Sequence, residues 1–330
     1  MLDVSVVVPT HNRRALLLRT VGTVLAQRGV DLELLVVDDG STDGSARAVS
    51  DLGDPRVEVV RHELPRGVCA ARNAGLARAR APWVAFLDDD DLWAPDKLRL
   101  QLTAAEEPGT GWVCAGAVTV DPDLRIVGAQ PVPSPESLRQ LPVLNVIPGG
   151  GSGTMARTQL VRTLGGFDHE LSNLADWDLW VRLSLGAPIA AVPHPLTAYL
   201  RHPSSLSQDL RSIRREFEHV QAKFALERAA RGLASSHRPV EWFAHRQVQL
   251  GRRSVAVRAY VQLWRCFPSA RAARWAAMAL VSPERLQRRR DGELRRGLSE
   301  DWAEEAEQWL APMREALPNR AVEQPDGVVG

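Results

Sequence analysis

The sequence predicts an α/β fold, with a mainly parallel central sheet flanked by helices over residues 1–208 and an α-helical appendage over 209–318. Three observations carry this. Short β-branched runs alternate with helical patterns through the N-terminal third, polar clusters follow the first, second and fourth of those runs, and beyond Gln208 the composition shifts to Arg, Ala, Leu and Trp. Strand and helix in strict alternation require crossovers, and crossovers give parallel strands covered on both faces.

Val4–Thr10 (VSVVVPT) reads as a buried strand, and Arg13–Gln27 as a helix whose Leu16, Leu17, Val21, Val24 and Leu25 face the core. LELLVVDDG is a second strand ending at Asp38 and Asp39, and Ser41 or Thr42 is expected to cap the helix after it. RVEVVRH is a third strand, VCAARNAGLARARA an Ala/Arg-rich helix and PWVAFLD a fourth strand. Pro95, Asp96 and Lys97 open another helix, with proline at a tolerated first-turn position. GWVCAGAVTVDPDLRIVGAQ reads as a hairpin turning at Asp121–Asp123, and the Pro/Gly-rich segment from Pro131 to Gly153 as a long loop over a site. LADWDLWVRLSLGAP fits a short helix. The appendage is expected to break near Gly232–Pro239, Pro268 and Pro283, and residues 319–330 to form a disordered tail.

Bulk composition excludes more than it assigns. With 45% hydrophobic and 25% charged residues and a net charge of +1, the 330-residue chain is neither disordered nor a general polyanion binder, and no nucleic-acid partner is expected. Basic residues outnumber acidic ones from Arg211 to Arg290, whereas 300–330 is acidic. A solvated face is the ordinary meaning of such a bias; peripheral membrane contact and homodimer formation stay open for this region. Cys69, Cys114 and Cys266 lack metal spacing and read as reduced thiols of a cytoplasmic protein. There is no signal-peptide pattern and no apolar run of about 18 residues.

The polar clusters carry the chemistry. Parallel sheets bind ligands at the carboxyl ends of their strands, and PTHNR, DDGSTD and DDDD all fall there. In FLDDDDLW, two carboxylates about 4 Å apart repel by about 4 kcal/mol at an effective dielectric of about 20, so the block needs solvent, a helix N-terminus or a cation. In an extended segment alternate side chains share a face, which pairs Asp88 with Asp90 as a D-x-D grip for a hard cation. Asp91, and Asp89 with it, reads as local structure at the next helix N-terminus. A P-loop ATPase is disfavoured, because GGGSGT at 149–154 has no lysine.

VSVVVPTHNR, VVDDGSTDGS, ARNAGLARARAPWVAFLDDDD, GGFDHEL and DWDLWVRL, in this order, resemble the family 2 glycosyltransferases of the GT-A fold over roughly Val4 to Ser207. The resemblance implies a nucleotide-sugar half at about 1–110 and an acceptor half at about 111–208. It places Pro9, Thr10, Asn12, Asp39 and, alongside, Asp38 against the nucleotide base and ribose, Arg72 at the nucleotide or its diphosphate, Asp88 towards the ribose with Asp89 beside it, and Asp90 on the metal. It makes Asp176 the base that deprotonates the acceptor; Ala175 stands where the family usually has a glutamate, and Asp178 is the alternative base. His202 corresponds to a position near the diphosphate, where it would ligate metal or phosphate, a loop histidine without a role being the equal alternative. Gly150, Gly151 and Ser152 line the acceptor side with Ala175 and Trp177, whereas Trp180 reads as core.

The implied activity is inverting transfer of a sugar from a nucleoside-diphosphate sugar, UDP favoured, to a hydroxyl of a glycan, lipid-linked glycan or small molecule, with Mn²⁺ or Mg²⁺ as cofactor. The implied location is cytoplasmic, with the inner membrane face as an option. The competing expectations are a metal-dependent sugar nucleotidyltransferase, disfavoured by the glycine-free PTHNRR, and a non-catalytic sugar-nucleotide or protein-binding module.

Overall fold

The computed structural model describes residues 1–201, 210–234, 253–266, 270–282 and 298–317, with scattered positions between 241 and 292. His202, the boundary near Gln208, Pro239, Pro268, Pro283 and residues 319–330 lie outside the described residues.

Strands β1 (Val4–Thr10), β2 (Leu32–Asp39), β3 (Val57–His62) and β4 (Trp83–Phe86) are mutually parallel in the order β3-β2-β1-β4. The order reverses between β1 and β4, the place where open α/β sheets form their ligand crevice. Beyond β4 the sheet is mixed. There β5 is Leu92–Trp93, β6 Trp112–Val120, β7 Ile126–Gln130, β8 Thr154–Arg157 and β9 Ile189–Leu200, and the order continues β8-β6-β9-β5 with β7 hairpinned onto β6. β9 runs parallel to β6, and β8 is antiparallel to both its neighbours.

Helices α1 (Arg14–Leu25), α2 (Ser45–Ser50), α3 (Val68–Arg78) and α4 (Lys97–Ala104) alternate with the first strands. Alternate β1 residues enter opposite cores: Val7 packs with Leu35, Val84 and Phe86, while Val6 and Val8 pack with Leu34, Val36 and Leu17. α3 lies so close to β1 that a Cβ on Gly75 would sit 2.3 Å from Val7 Cγ1, which requires the glycine of ARNAGL. The start of α2 differs from expectation. Asp43 Oδ1 accepts from Ser45 N at 3.0 Å, while Ser41 and Thr42 are held by Asn12.

The segment expected as a loop from Pro131 to Gly153 contains helix α5 (Pro135–Arg139), capped by Ser134, and a 3₁₀ turn at Gly150–Gly153. Helices α6 (Thr158–Thr163) and α7 (Ala175–Gly186) follow. The helical region is bound into this framework at both ends. Phe217 and Val220 of α8 (Leu210–Lys223) join the core that holds Trp177. The closing helix Glu300–Glu315 covers β9, with Trp302 and Trp309 donating to the carbonyls of Pro193 and Pro195 at 3.0 and 3.1 Å. A Cβ on Gly116 of β6 would meet Trp302 at 2.4 Å. Between these ends, Ala256, Tyr260, Trp275, Ala279 and Leu286 form a separate apolar cluster.

Candidate active site

The aspartate block is a turn, closed by Asp91 N donating to Asp88 O at 3.1 Å, so the alternation expected of an extended segment does not apply. Its four side chains take four environments. Asp88 pairs with Arg72 of α3, and Asp89 accepts from Thr10 Oγ1 at 2.7 Å and Arg13 Nη1 at 3.0 Å. Asp90 Oδ2 accepts from the same Arg13 nitrogen at 2.8 Å. Asp91 accepts from Ser152 Oγ at 2.6 Å and from Leu200 N at 3.0 Å. It caps no helix; it ties the turn to the 3₁₀ turn and β9. Burial pushes Asp89 up to about 6 against the opposing charge of Arg13. Burial, with Asp90 and Asp88 nearby, holds Asp91 well above the usual carboxylate range. The block's repulsion is therefore relieved in two ways: two arginines face it, and two of its carboxyls resist ionisation.

At the strand ends, Thr10 lies opposite Asp38 in the parallel register, so the ends of β1 and β2 are level. Asn12 adopts φ 52° and bridges the two loops: its N–H donates to Ser41 Oγ and its Oδ1 accepts from Thr42 N. Asp38 is fully buried and accepts from Ser41 N at 2.9 Å, the contact of a turn residue. Asp39 accepts from His62 Nδ1 at 2.7 Å and from the backbone N–H groups of Arg66 and Gly67. Burial opposes its charge, but these donors outweigh burial and hold the carboxyl below its usual range. Pro9 is buried within β1, so its contribution to the site is backbone.

Across the crevice, Asp176 stands in the first turn of α7. Its Oδ1 accepts from Trp177 N at 2.8 Å, while its Oδ2 looks towards Gly150, whose Cβ position is 3.5 Å away. Gly151 lies against Arg72 Nη2 and Asp88 Oδ1, at 3.0 and 3.7 Å from its own Cβ position. Gly150 and Gly151 thus floor the space between Asp176 and the Arg72–Asp88 pair. Burial raises Asp176 to about 6, with Arg72 pulling the other way.

Three expected acceptor-side residues sit elsewhere. Trp177 is 1% exposed, donates Nε1 to Leu141 O at 2.7 Å and stacks on Phe217, so it is core and offers no face to a sugar. Ala175 is buried in the same cluster. Ser152 is buried, and its hydroxyl both donates to Asp91 and accepts from Asp88 N. Trp180 stacks on Trp112 as expected of a core residue. Asp178 is fully buried and clamped by Arg182 and Lys223, which makes it a strut of α7.

Glycosyl transferase family 2 matches residues 5–158. That stretch is a family 2 glycosyltransferase domain by its sequence pattern. A relative in Escherichia coli, the UDP-Glc:alpha-D-GlcNAc-diphosphoundecaprenol beta-1,3-glucosyltransferase WfgD, is 35% identical over 100 residues, covering 30% of this chain and 40% of its own length. The chain spans 31–65% of the first curated relatives it matches, less than two thirds of each. The fold extends further. Staphylococcus aureus TarS 1-349, solved with UDP-GlcNAc, superposes with a TM-score of 0.59 at 19% identity, over 90% of this chain and 92% of that one. The mannosyltransferase PcManGT of Pyrobaculum calidifontis, solved with GDP-Man and Mn²⁺, gives 0.53 at 23% identity, over 88% and 84%. Both likenesses establish the GT-A fold.

The crevice also holds two residues that the sequence does not announce. Arg13 reads in the sequence as the opening of a helix, although it follows the β1 strand end at the carboxyl edge of the sheet. Glu216 of α8 accepts from the N–H groups of Ser172, Asn173 and Leu174 at 2.8–3.1 Å and so fixes the segment that delivers Asp176. No sequence signal ties Glu216 to a segment 42–44 residues upstream. Among the described residues, no group of three or more His, Cys, Asp or Glu side chains could hold a metal. The oxygens of Asp88 and Asp90 suit a hard dication only if substrate oxygens complete its shell.

No helix among the described residues is long and apolar enough to cross a membrane. Cys69 and Cys114 are free and buried, and burial pushes their thiols up to about 11 and about 12.

Proposed function

We propose that this chain transfers a sugar from a nucleoside-diphosphate sugar to an acceptor hydroxyl with inversion at the anomeric carbon, and that Asp176 is the base. One observation carries the reading: a carboxyl raised to about 6 faces, over Gly150 and Gly151, the Arg72–Asp88 pair at the carboxyl ends of β1 and β4. A base of that strength is mostly ionised at neutral pH and still takes a proton as the acceptor oxygen attacks. The donor enters at the strand ends, its base and ribose over Thr10, Asn12, Asp39 and Asp88. Arg72 faces the diphosphate, a pairing that suits a guanidinium. A single displacement, with the acceptor oxygen opposite the departing nucleoside diphosphate, inverts the centre.

A UDP-sugar is the favoured donor, supported by the UDP-sugar named for WfgD and the UDP-GlcNAc bound to TarS. Asp90, with Asp88 beside it, would hold a divalent ion of the Mn²⁺ or Mg²⁺ class. That ion would offset the leaving diphosphate's charge, and the Mn²⁺ in the PcManGT complex supports this assignment.

The test is Asp176→Asn. The variant should lose about 10²–10⁴-fold in donor turnover while binding UDP like the parent by calorimetry. Turnover at the parent rate with binding intact would remove Asp176 from the base role. Product anomeric configuration, read by NMR, tests inversion separately.

A further inference from the structure

The cations that face the aspartate turn in this structure, Arg72 at Asp88 and Arg13 at Asp89 and Asp90, belong to the chain itself. Arg13 Nη1 lies 2.8 Å from Asp90 Oδ2 and 3.0 Å from Asp89 Oδ1, and the arginine side chain is only 19% exposed. Its backbone forms the N-cap of α1, at φ −137° and ψ 39° with no side-chain cap bond, so helix formation does not dictate where the guanidinium goes. It is rooted one residue beyond Asn12, on the side where the donor is placed.

We propose that Arg13 is a resident counter-cation that must leave Asp90 before a divalent ion can bind there, so that metal binds weakly until a donor diphosphate gives Arg13 a new anion. The inference rests on the nucleotide-sugar reading above and adds an order of binding to it. A guanidinium and a dication on one carboxylate oxygen repel each other at close range. A diphosphate resolves the conflict, because its oxygens accept the arginine fork in two parallel hydrogen bonds and also complete the metal's oxygen shell. Arg13 then exchanges one anion for another, and Asp90 becomes available in the same step.

Mn²⁺ titration of the full chain, followed by electron paramagnetic resonance with and without UDP, reads this directly. The parent should bind Mn²⁺ weakly alone and at least about tenfold more tightly with UDP. Arg13→Gln should gain about tenfold in Mn²⁺ affinity without nucleotide, because the competing charge is gone, and should show a smaller response to UDP. Adding Asp90→Asn to that variant should abolish the gain. Arg13→Lys keeps the charge and should stay as weak as the parent, which separates the charge effect from any disturbance of folding. Equal nucleotide-free Mn²⁺ affinity in the parent and Arg13→Gln, with the UDP response intact, overturns the role of Arg13 and leaves the metal-assisted transfer standing. Absence of Mn²⁺ binding by the parent even with UDP overturns both.

Discussion

In its proposed role as base, Asp176 sets a pH limit on turnover that can be calculated before any acceptor is known. With its carboxyl at about 6, the base is about nine-tenths ionised at pH 7 and about one-tenth ionised at pH 5. Donor hydrolysis, with water as the acceptor, should therefore lose about tenfold in kcat/KM over those two units and about tenfold more for each further unit. The sign follows from the chemistry: the working form is the anion, so rate falls as pH falls through the raised value. Arg72 is the charge that holds the value down. Arg72→Met should move the acid limb to higher pH, whatever it does to the absolute rate. Asp89 also lies at about 6 and could produce a limb of its own. Asp89→Asn separates the two, because it should leave the limb in place. A wild-type limb near pH 4, or one that disappears in Asp89→Asn and ignores Arg72→Met, would refute the assignment of Asp176.

Two further outcomes check the geometry away from the chemistry. Trp177→Ala should cost about 3–5 kcal/mol of stability through a cavity beside Phe217, while the folded fraction keeps the parent's UDP affinity; a selective loss of donor or acceptor binding without a fall in melting temperature would restore Trp177 to the sugar side. Burial opposes the charge of Asp168, but Lys223, the N–H of Glu170 and His219 outweigh it and bring the carboxyl down to about 2. A depressed carboxylate stabilises the fold above its unfolded value and loses that contribution as pH falls through about 2. After allowance for solvent screening, Asp168→Asn should cost about 1 kcal/mol at pH 7 and progressively less towards pH 2, measured by denaturant titration.

Where one strand's own residues decide, the sequence was readable. The β-branched runs of VSVVVPT and LELLVVDD are buried throughout because parallel strands are covered on both faces, and that pattern placed PTHNR and DDGS level at one edge of the sheet. What escaped reading is decided by partners far along the chain. Periodicity puts Trp177 and Trp180 near one helical face, but the arrival of Phe217 from α8 and of the Leu141 carbonyl turns Trp177 into core. Asp39 is legible as a strand-end carboxylate, whereas its His62 and Gly67 donors come from β3 and the turn before α3.

The four aspartates show why local pattern fails at such a joint. Alternation assumes that the chain stays extended after β4, yet the direction of each carboxylate is set by a group from a different element. Arg72 of α3 pairs with Asp88, and Ser152 of the 3₁₀ turn and Leu200 N of β9 reach Asp91 across 61 and 109 residues. Thr10 holds Asp89 from β1, and Arg13 reaches Asp89 and Asp90 from the edge of α1. A run of like charge is costly in isolation, and it persists here because five segments converge on it, each supplying a donor or a cation. The block is therefore a meeting point of the fold as well as the proposed ligand site. Substitutions within it should differ in kind: Asp91, fully buried between Ser152 and Leu200, bears on folding, while Asp90, facing Arg13, bears on what the site binds.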